Sequence, residues 1–204
     1  MALQFPYLYK WTFFSEVGYT PRSGQKWLHW AADYFKYIGF FSYPRGGKSF
    51  SAAMEVAATV NENDYHCWIV APTYQLGSKE FGYIYQAHLN AGYLDKAKHV
   101  SFNITGGDMR IEYPWGWWVE VKSAQHPHLI LAEELDEMIL SEAPRLPATL
   151  FDRTLFNRAE KRHGRVYCPA TPMGNNWAHR EFWIRAQKVW EGQPNPLYDR
   201  DHYA

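Results

Sequence analysis

The sequence has few cysteines and no excess of either charge. Cys67 and Cys168 are its two cysteines, and they lie far apart in apolar segments. This spacing disfavours a disulfide and predicts buried free thiols in a reducing cytosol. The 21 Lys and Arg residues are balanced by 21 Asp and Glu residues. A protein that coats nucleic acid over its surface is normally basic, so any contact with nucleic acid here must be local.

Long hydrophobic runs are also missing. No apolar stretch is long enough to span a bilayer. The aromatic N-terminus is interrupted by Pro6 and Lys10, so it lacks the basic segment followed by an apolar segment that is typical of a signal peptide. The sequence shows no repeat, low-complexity tract or linker. Its 47% hydrophobic and 18% aromatic content therefore predicts a single globular domain over residues 1–204.

Strand and helix patterns alternate along the chain, which predicts an α/β fold with a mostly parallel central sheet. The alternation at 108–113 and 117–122, around a Pro-Trp-Gly turn, predicts an antiparallel hairpin. A tail at 193–204 is predicted to be loop-like. The other predicted strands are 36–42, 66–72, 127–134 and 165–172, and the predicted helices are 48–60, 74–94, a segment after Pro147, and 177–192.

The stretch FSYPRGGKSF at 41–50 is similar to a phosphate-binding loop between a strand and a helix. The usual pattern is G-x-x-x-x-G-K-[ST], and Ser42 stands at its first glycine. In this interpretation Lys48 reaches the β and γ phosphates and the Ser49 hydroxyl holds Mg²⁺. The alternative is a Gly-Gly turn before a capped helix. The predicted nucleotide-binding residues are Ser42, Tyr43, Pro44, Arg45, Gly46, Gly47, Lys48 and Ser49.

A second candidate element is LILAEE at 129–134, where two acids follow four apolar residues. An acid at the end of a strand beside a phosphate loop can orient the metal ion through water, and a following glutamate can activate the attacking water. This pattern predicts Glu133 for the metal and Glu134 as the catalytic base. The alternative is a strand followed by an acidic helix start.

A third candidate element is ATPMGNNW at 170–177, directly after a predicted buried strand. Thr171 could sense the γ phosphate there, and the turn containing Pro172, Gly174 and Asn176 could transmit that state to other elements. The simpler alternative is a turn into a helix, with Asn175 or Asn176 as the cap.

These elements and two more resemble the ATPase domain of the large terminase subunits of tailed phages, the motors that package DNA. The additional segments are GYTPRSGQKWLHW at 18–30 and WIVAPTYQLGSKEFGYIY at 68–85. The motifs APTY and TPxGxNW in this order are much more specific than GKS. The resemblance extends over roughly residues 15–185.

The resemblance implies a three-layer P-loop NTPase with an additional strand and a catalytic glutamate, using ATP as substrate and Mg²⁺ as cofactor. Within it, residues 1–35 form an adenine-recognition segment with Pro21 and Gln25, residues 36–192 form the core, and Arg45 contacts the γ phosphate. The implied partners are double-stranded DNA, a portal protein, a small terminase subunit and further copies in a ring on the portal, with no membrane partner. The implied location is the host cell cytoplasm.

The chain departs from the family pattern in several places. Besides Ser42, it has Glu133 where Asp is usual and SAQHPH where an arginine is usual. Candidates for an arginine that reaches a neighbouring subunit are Arg145, Arg153 and Arg158. We find no carboxylate cluster for two-metal cleavage, so we expect no nuclease domain in this chain.

Two other function classes remain open at this point. One is a different P-loop translocase, such as a helicase, which shares the loop and the acidic strand. The other is a non-catalytic interaction module with a degenerate loop, suggested by Ser42 and Glu133. A basic run fits either a contact with the DNA backbone or a solvated helix face; its members are Arg153, Arg158, Lys161, Arg162 and Arg165.

Overall fold

The computed structural model of the chain describes residues 8–130 and 133–184, and it confirms the α/β alternation. The helices are α1 (Leu8–Glu16), α2 (Ser23–Tyr34), α3 (Lys48–Ala58), α4 (Tyr74–Asn90), α5 (Ala148–Leu150) and α6 (Phe156–Lys161). The strands are β1 (Tyr37–Phe41), β2 (His66–Ala71), β3 (His99–Asn103), β4 (Asp108–Glu112), β5 (Trp118–Ser123), β6 (Glu137–Leu140) and β7 (Arg165–Ala170).

Shorter helical turns complete the described part of the chain. Three are 3-10 turns, at Leu94–Lys96, Pro127–Leu129 and Ala143–Arg145, and two are π-helical turns, at Phe151–Leu155 and His179–Ile184. Of the helix predicted at 177–192, residues 185–192 lie outside the described residues, as does the predicted tail. Among the helices described, none combines the length and the apolar character needed to cross a bilayer.

The seven strands form one sheet in the order β1-β7-β6-β2-β5-β4-β3. Strands β1, β7, β6, β2 and β5 pair in parallel, and β4 is antiparallel to both β5 and β3. The predicted hairpin is therefore confirmed. Strand β7 lies between β1 and β6, so an additional strand separates the strand before the candidate phosphate loop from β6.

Apolar side chains leave the sheet on both faces, which gives the three layers. In β2, Cys67 and Ile69 pack against helices α1 to α4 on one face. Trp68 and Val70 alternate to the other face and pack with the segment from Leu146 to Ala159. Because both faces of the parallel strands are covered, the central residues of these strands are mostly apolar. Both cysteines are buried and free, as the sequence predicted.

The prediction of a strand at 127–134 is wrong. Pro127–Leu129 forms a 3-10 turn, and the strand that enters the sheet is β6, which starts at Glu137. A carboxyl group in a buried strand contradicts the usual strand pattern. Glu137 is accommodated because its Oε1 accepts hydrogen bonds from the Tyr167 hydroxyl at 2.8 Å and from Arg165 Nη1 at 3.0 Å.

A fully buried histidine makes the stability of this fold dependent on pH. His88 Nε2 donates to the Ala57 carbonyl at 3.0 Å, and His88 Nδ1 accepts from the Tyr113 hydroxyl at 2.9 Å. Burial disfavours the charged ring and lowers the pKa of His88 to about 4, from 6.5. Between these values the unfolded chain binds more protons than the folded one. The free energy of unfolding therefore falls as pH falls through this window.

We expect His88 to account for a loss of about 2 kcal/mol of stability between pH 7 and pH 5. Urea unfolding at the two pH values measures this loss. The His88→Gln variant keeps one donor and one acceptor without titrating, so its loss should be smaller by about that amount. The exposed His99 provides the control, since His99→Gln should retain the wild-type loss. Equal losses in wild type and His88→Gln would contradict the assignment.

Candidate nucleotide-binding site

The candidate phosphate loop, residues 42–47, joins the end of β1 to the start of α3. Arg45 and Gly47 have positive φ angles of 67° and 77°, a region that side chains with a Cβ adopt rarely. A Cβ on Gly46 would collide with Ser42 Oγ, and one on Gly47 would collide with the Gln25 side chain. The absence of a side chain at Gly46 therefore makes room for Ser42, the residue that replaces the usual glycine.

Lys48 begins α3 and is buried, with 8% of its surface exposed. Its ammonium group donates to the carbonyl oxygens of Ser42 at 2.8 Å and Tyr43 at 2.9 Å. Burial lowers the pKa of Lys48, and the nearby carboxylate of Glu142 opposes that effect. The lysine thus lies beneath the loop, next to the backbone amides at the start of a helix, where an anion is favoured.

Glu142 lies across an open cleft of 790 Å³ from Lys48. It follows the buried Ser141 at the carboxyl end of β6 and has a positive φ of 50°. Such backbone angles are uncommon outside glycine and occur preferentially at functional sites. The cleft is lined by Pro44, Arg45, Gly47, Lys48, Ser49, Phe50, Lys79, Tyr83, Glu142, Arg145, Pro169, Thr171 and Met173.

Glu133 and Glu134 do not line this cleft, which corrects their predicted placement. Both are exposed, and Glu134 pairs with Lys161 at 2.7 Å. The Glu134 carbonyl lies 3.1 Å from His66 Nδ1, at the amino end of β2. The cleft is at the opposite edge of the parallel sheet, and the four residues of β6 alone span about 13 Å. The acidic position beside the loop is therefore held by Glu142.

A second acid, Glu80 on α4, lies close to Ser49, a residue that lines the cleft. Its side chain is buried, and its neighbours include the hydroxyl groups of Ser49 and Ser141. Burial raises the pKa of Glu80, and these hydroxyls partly offset the increase. Sequence reasoning missed this residue, because it lies within a helix and belongs to no phosphate-loop motif.

The Ser49 hydroxyl and the carboxyl groups of Glu80 and Glu142 offer oxygen atoms of the kind that bind Mg²⁺. This ion prefers hard oxygen ligands and usually keeps several water molecules and substrate phosphate oxygens. Ser49 lines the cleft in the first turn of α3, as predicted for the loop hydroxyl. Glu133, the predicted metal-side acid, is too far away to take part, because it lies beyond the amino end of β6.

The predicted adenine segment borders a second cavity of 560 Å³, which shares Arg45, Gly47, Phe50 and Tyr83 with the first. Gln25 Oε1 accepts from the Arg22 amide at 2.9 Å, and Gln25 Nε2 donates to the Gly47 carbonyl at 3.3 Å. The first bond is local to the start of α2, and the second joins this helix to the candidate phosphate loop. Pro21, just before this helix, is buried. Adenine recognition by Pro21 and Gln25 stays a prediction.

The segment after β7 connects the cleft to the opposite face of the sheet. Thr171 lines the cleft, whereas Pro172, Gly174 and Asn176 line a neighbouring cavity of 310 Å³ that includes Phe41. The Asn176 Oδ1 accepts from the His179 amide at 3.1 Å. The simpler prediction, a capping bond from this asparagine, is therefore confirmed. The coupling roles of Thr171, Pro172, Gly174 and Asn176 stay predictions.

The basic run near α6 is largely paired with carboxylates. Lys161 pairs with Glu134, Arg162 with Asp64 and Asp136, and Arg165 with Glu137. The pairing favours the structural interpretation of this run over a phosphate-gripping patch. Of the candidate arginines, Arg145 lies at the cleft, and its Nε is 4.0 Å from Glu142.

Neither a protein-family model nor a curated protein sequence matches the chain. Solved structures do match. The ATPase domain of the large terminase of Thermus phage P74-26 is 22% identical, with a TM-score of 0.74 over 95% of this chain and 81% of that domain. A mutant of the same domain gives a TM-score of 0.77, covering 84% of its length.

The large terminase of another phage, a thermophilic bacteriophage, is 17% identical and aligns with a TM-score of 0.56. The alignment covers 80% of this chain and 42% of that longer protein. The chain therefore has the fold of the ATPase domains of phage large terminases, as its sequence motifs predicted.

Proposed function

We propose that the chain is the ATP-hydrolysing motor domain of a phage large terminase, which drives double-stranded DNA into the procapsid. The observation that carries this proposal is the convergence of Lys48, Glu142 and Thr171 on one cleft at the carboxyl edge of the parallel sheet. Ligands of open α/β sheets bind at this edge. The fold shared with terminase ATPase domains supports the same assignment.

In the proposed mechanism, the loop amides and Lys48 bind the triphosphate, and Arg45 contacts the γ phosphate. Glu142 accepts a hydrogen bond from the attacking water and orients it toward the γ phosphorus. When bound, Mg²⁺ would neutralise charge that develops on the phosphate oxygens, with Ser49 among its holders. Thr171 lies where it can respond to loss of the γ phosphate and pass that change to the segment capped by Asn176.

Action on DNA would depend on assembly. The net formal charge of zero gives one copy little general attraction to a phosphate backbone. A ring of copies on a portal, together with a small terminase subunit, would multiply weak local contacts through effective concentration. The proposed place of action is the host cell cytoplasm, where packaging would occur.

A second candidate is a nucleotide-binding module without turnover. It is favoured by Ser141, which puts a neutral hydroxyl at the end of β6, where motors of this type usually have an acid. Release of inorganic phosphate from ATP, measured with increasing concentrations of chain and with or without double-stranded DNA, distinguishes the two. Turnover that rises with self-association and DNA supports the motor.

No phosphate release under any of these conditions, alongside measurable ATP binding, would support the module instead. A forked duplex added to the same reactions tests for a helicase. Unwinding of the fork would replace the packaging assignment with that of a different translocase.

A further inference from the structure

Glu80 is a buried acid whose surroundings in the protein do not neutralise it. Three glutamates are buried in the described part of the chain: Glu55, Glu80 and Glu137. Glu55 contacts Lys10 and His29, and Glu137 contacts Arg165. No ion pair involves Glu80 among the described residues, and its Oε2 has no hydrogen-bond partner there. An unpaired buried carboxylate is costly in free energy, and a bound cation would offset that cost.

The position of Glu80 fits a cation at the nucleotide site. Its carboxyl group interacts with the hydroxyls of Ser49 and Ser141. Ser49 is the first-turn residue of α3 that lines the cleft, and Ser141 directly follows β6. The carboxyl group thus lies between the phosphate loop and the strand end where a metal-side acid is usual. The neutral Ser141 hydroxyl cannot balance the charge of a divalent cation.

We propose that Glu80 supplies, from α4, the carboxylate that holds the magnesium ion of the bound nucleotide, in place of an acid at the end of β6. The inference rests on the proposed nucleotide site. Glu80 has the chemistry that Mg²⁺ prefers, whether it acts on the ion directly or through a bound water. The alternative is a neutral carboxylic acid that only stabilises the packing of α4.

Binding of ADP measured by calorimetry, in Mg²⁺ and in EDTA, tests this role without requiring turnover. The wild-type chain should bind ADP more tightly in Mg²⁺ than in EDTA. Loss of a residue that supports a metal ligand typically weakens metal affinity about 10–100-fold. The Mg²⁺ gain is the ratio of the ADP affinity in Mg²⁺ to the ADP affinity in EDTA. We therefore expect this ratio to be at least about tenfold smaller in Glu80→Gln than in the wild type, with the ADP affinity in EDTA unchanged.

Two further variants separate metal binding from packing. Glu134→Gln, an exposed residue at the opposite edge of the sheet, should keep the full Mg²⁺ gain. Ser141→Asp added to Glu80→Gln moves a carboxylate to the end of β6 and should restore the gain. A purely structural role for Glu80 would instead predict that folded Glu80→Gln keeps the wild-type Mg²⁺ gain. If thermal melts show that Glu80→Gln does not fold, Glu80→Asp replaces it. Aspartate keeps the carboxylate on a side chain shorter by one methylene, so this variant should still have a smaller Mg²⁺ gain than the wild type.

The outcomes distinguish this inference from the function on which it rests. If the wild-type chain and folded Glu80 variants show the same Mg²⁺ gain, Glu80 does not hold the ion, and nucleotide binding stands. If the wild-type chain binds ADP in neither buffer, the nucleotide site itself is wrong, and the role of Glu80 is wrong with it.

Discussion

The variant Glu142→Gln is expected to bind ATP with nearly wild-type affinity and to hydrolyse it at least ~100-fold more slowly, the usual scale for loss of a positioned acid–base group. The amide has the shape of the carboxylate but cannot take a proton from water. Glu142 faces Lys48 across the cleft and, among the described residues, is the one acid that lines it. Phosphate release under single-turnover conditions measures the effect on chemistry separately from product release.

The matched control for this experiment is Glu134→Gln. Glu134 belongs to the acidic stretch that the sequence favoured, but it pairs with Lys161 at the far edge of the sheet. Its variant should hydrolyse ATP at the wild-type rate. The opposite pattern, with Glu134→Gln inactive and Glu142→Gln active, would show that the strand end at β6 is not the catalytic edge.

The variant Lys48→Ala is expected to lose at least about 100-fold in affinity for ATP. Hydrogen bonds to charged groups contribute about 1.5–3 kcal/mol each, and an ammonium group can donate more than one to a triphosphate. Lys48 is the buried cation at the start of α3, with its ammonium group directed to the loop. Calorimetry with a slowly hydrolysed ATP analogue measures the loss.

Lys161→Ala is the control for charge alone, because Lys161 is exposed and pairs with Glu134 away from the cleft. It should bind the analogue as the wild type does. Lys48→Ala also removes two hydrogen bonds to loop carbonyls, so thermal melts must show that the variant is folded. A folded Lys48→Ala that binds nucleotide with undiminished affinity would return this lysine to an ordinary structural role.

The conformation of the candidate phosphate loop could be predicted because its requirements are local. A buried strand, the glycines at 46 and 47 and a following helix are all visible in consecutive residues. The same holds for Thr171, which directly follows an apolar strand, and for the hairpin, whose alternation is regular. In each case the neighbouring residues determine the conformation, so sequence patterns are enough.

The acidic strand was misplaced because the decisive contacts are not local. Residues 129–132 are apolar and precede two acids, whereas β6 begins with Glu137. That carboxyl group is tolerated only because Arg165 and Tyr167, on the next strand, bond to it. Glu80 was not predicted from the sequence, for a related reason. Its proximity to Ser49 and Ser141 arises from the packing of α4 against other elements.

The position of β7 also determines how far apart the two sides of the candidate nucleotide site are. Neighbouring strands lie about 4.8 Å apart, so the ends of β1 and β6 are separated by about 10 Å. That gap is imposed by main-chain pairing across β7, and side-chain exchanges at either rim leave it unaltered. The inserted strand thus serves as a fixed spacer between the candidate phosphate loop at the end of β1 and Glu142 after β6.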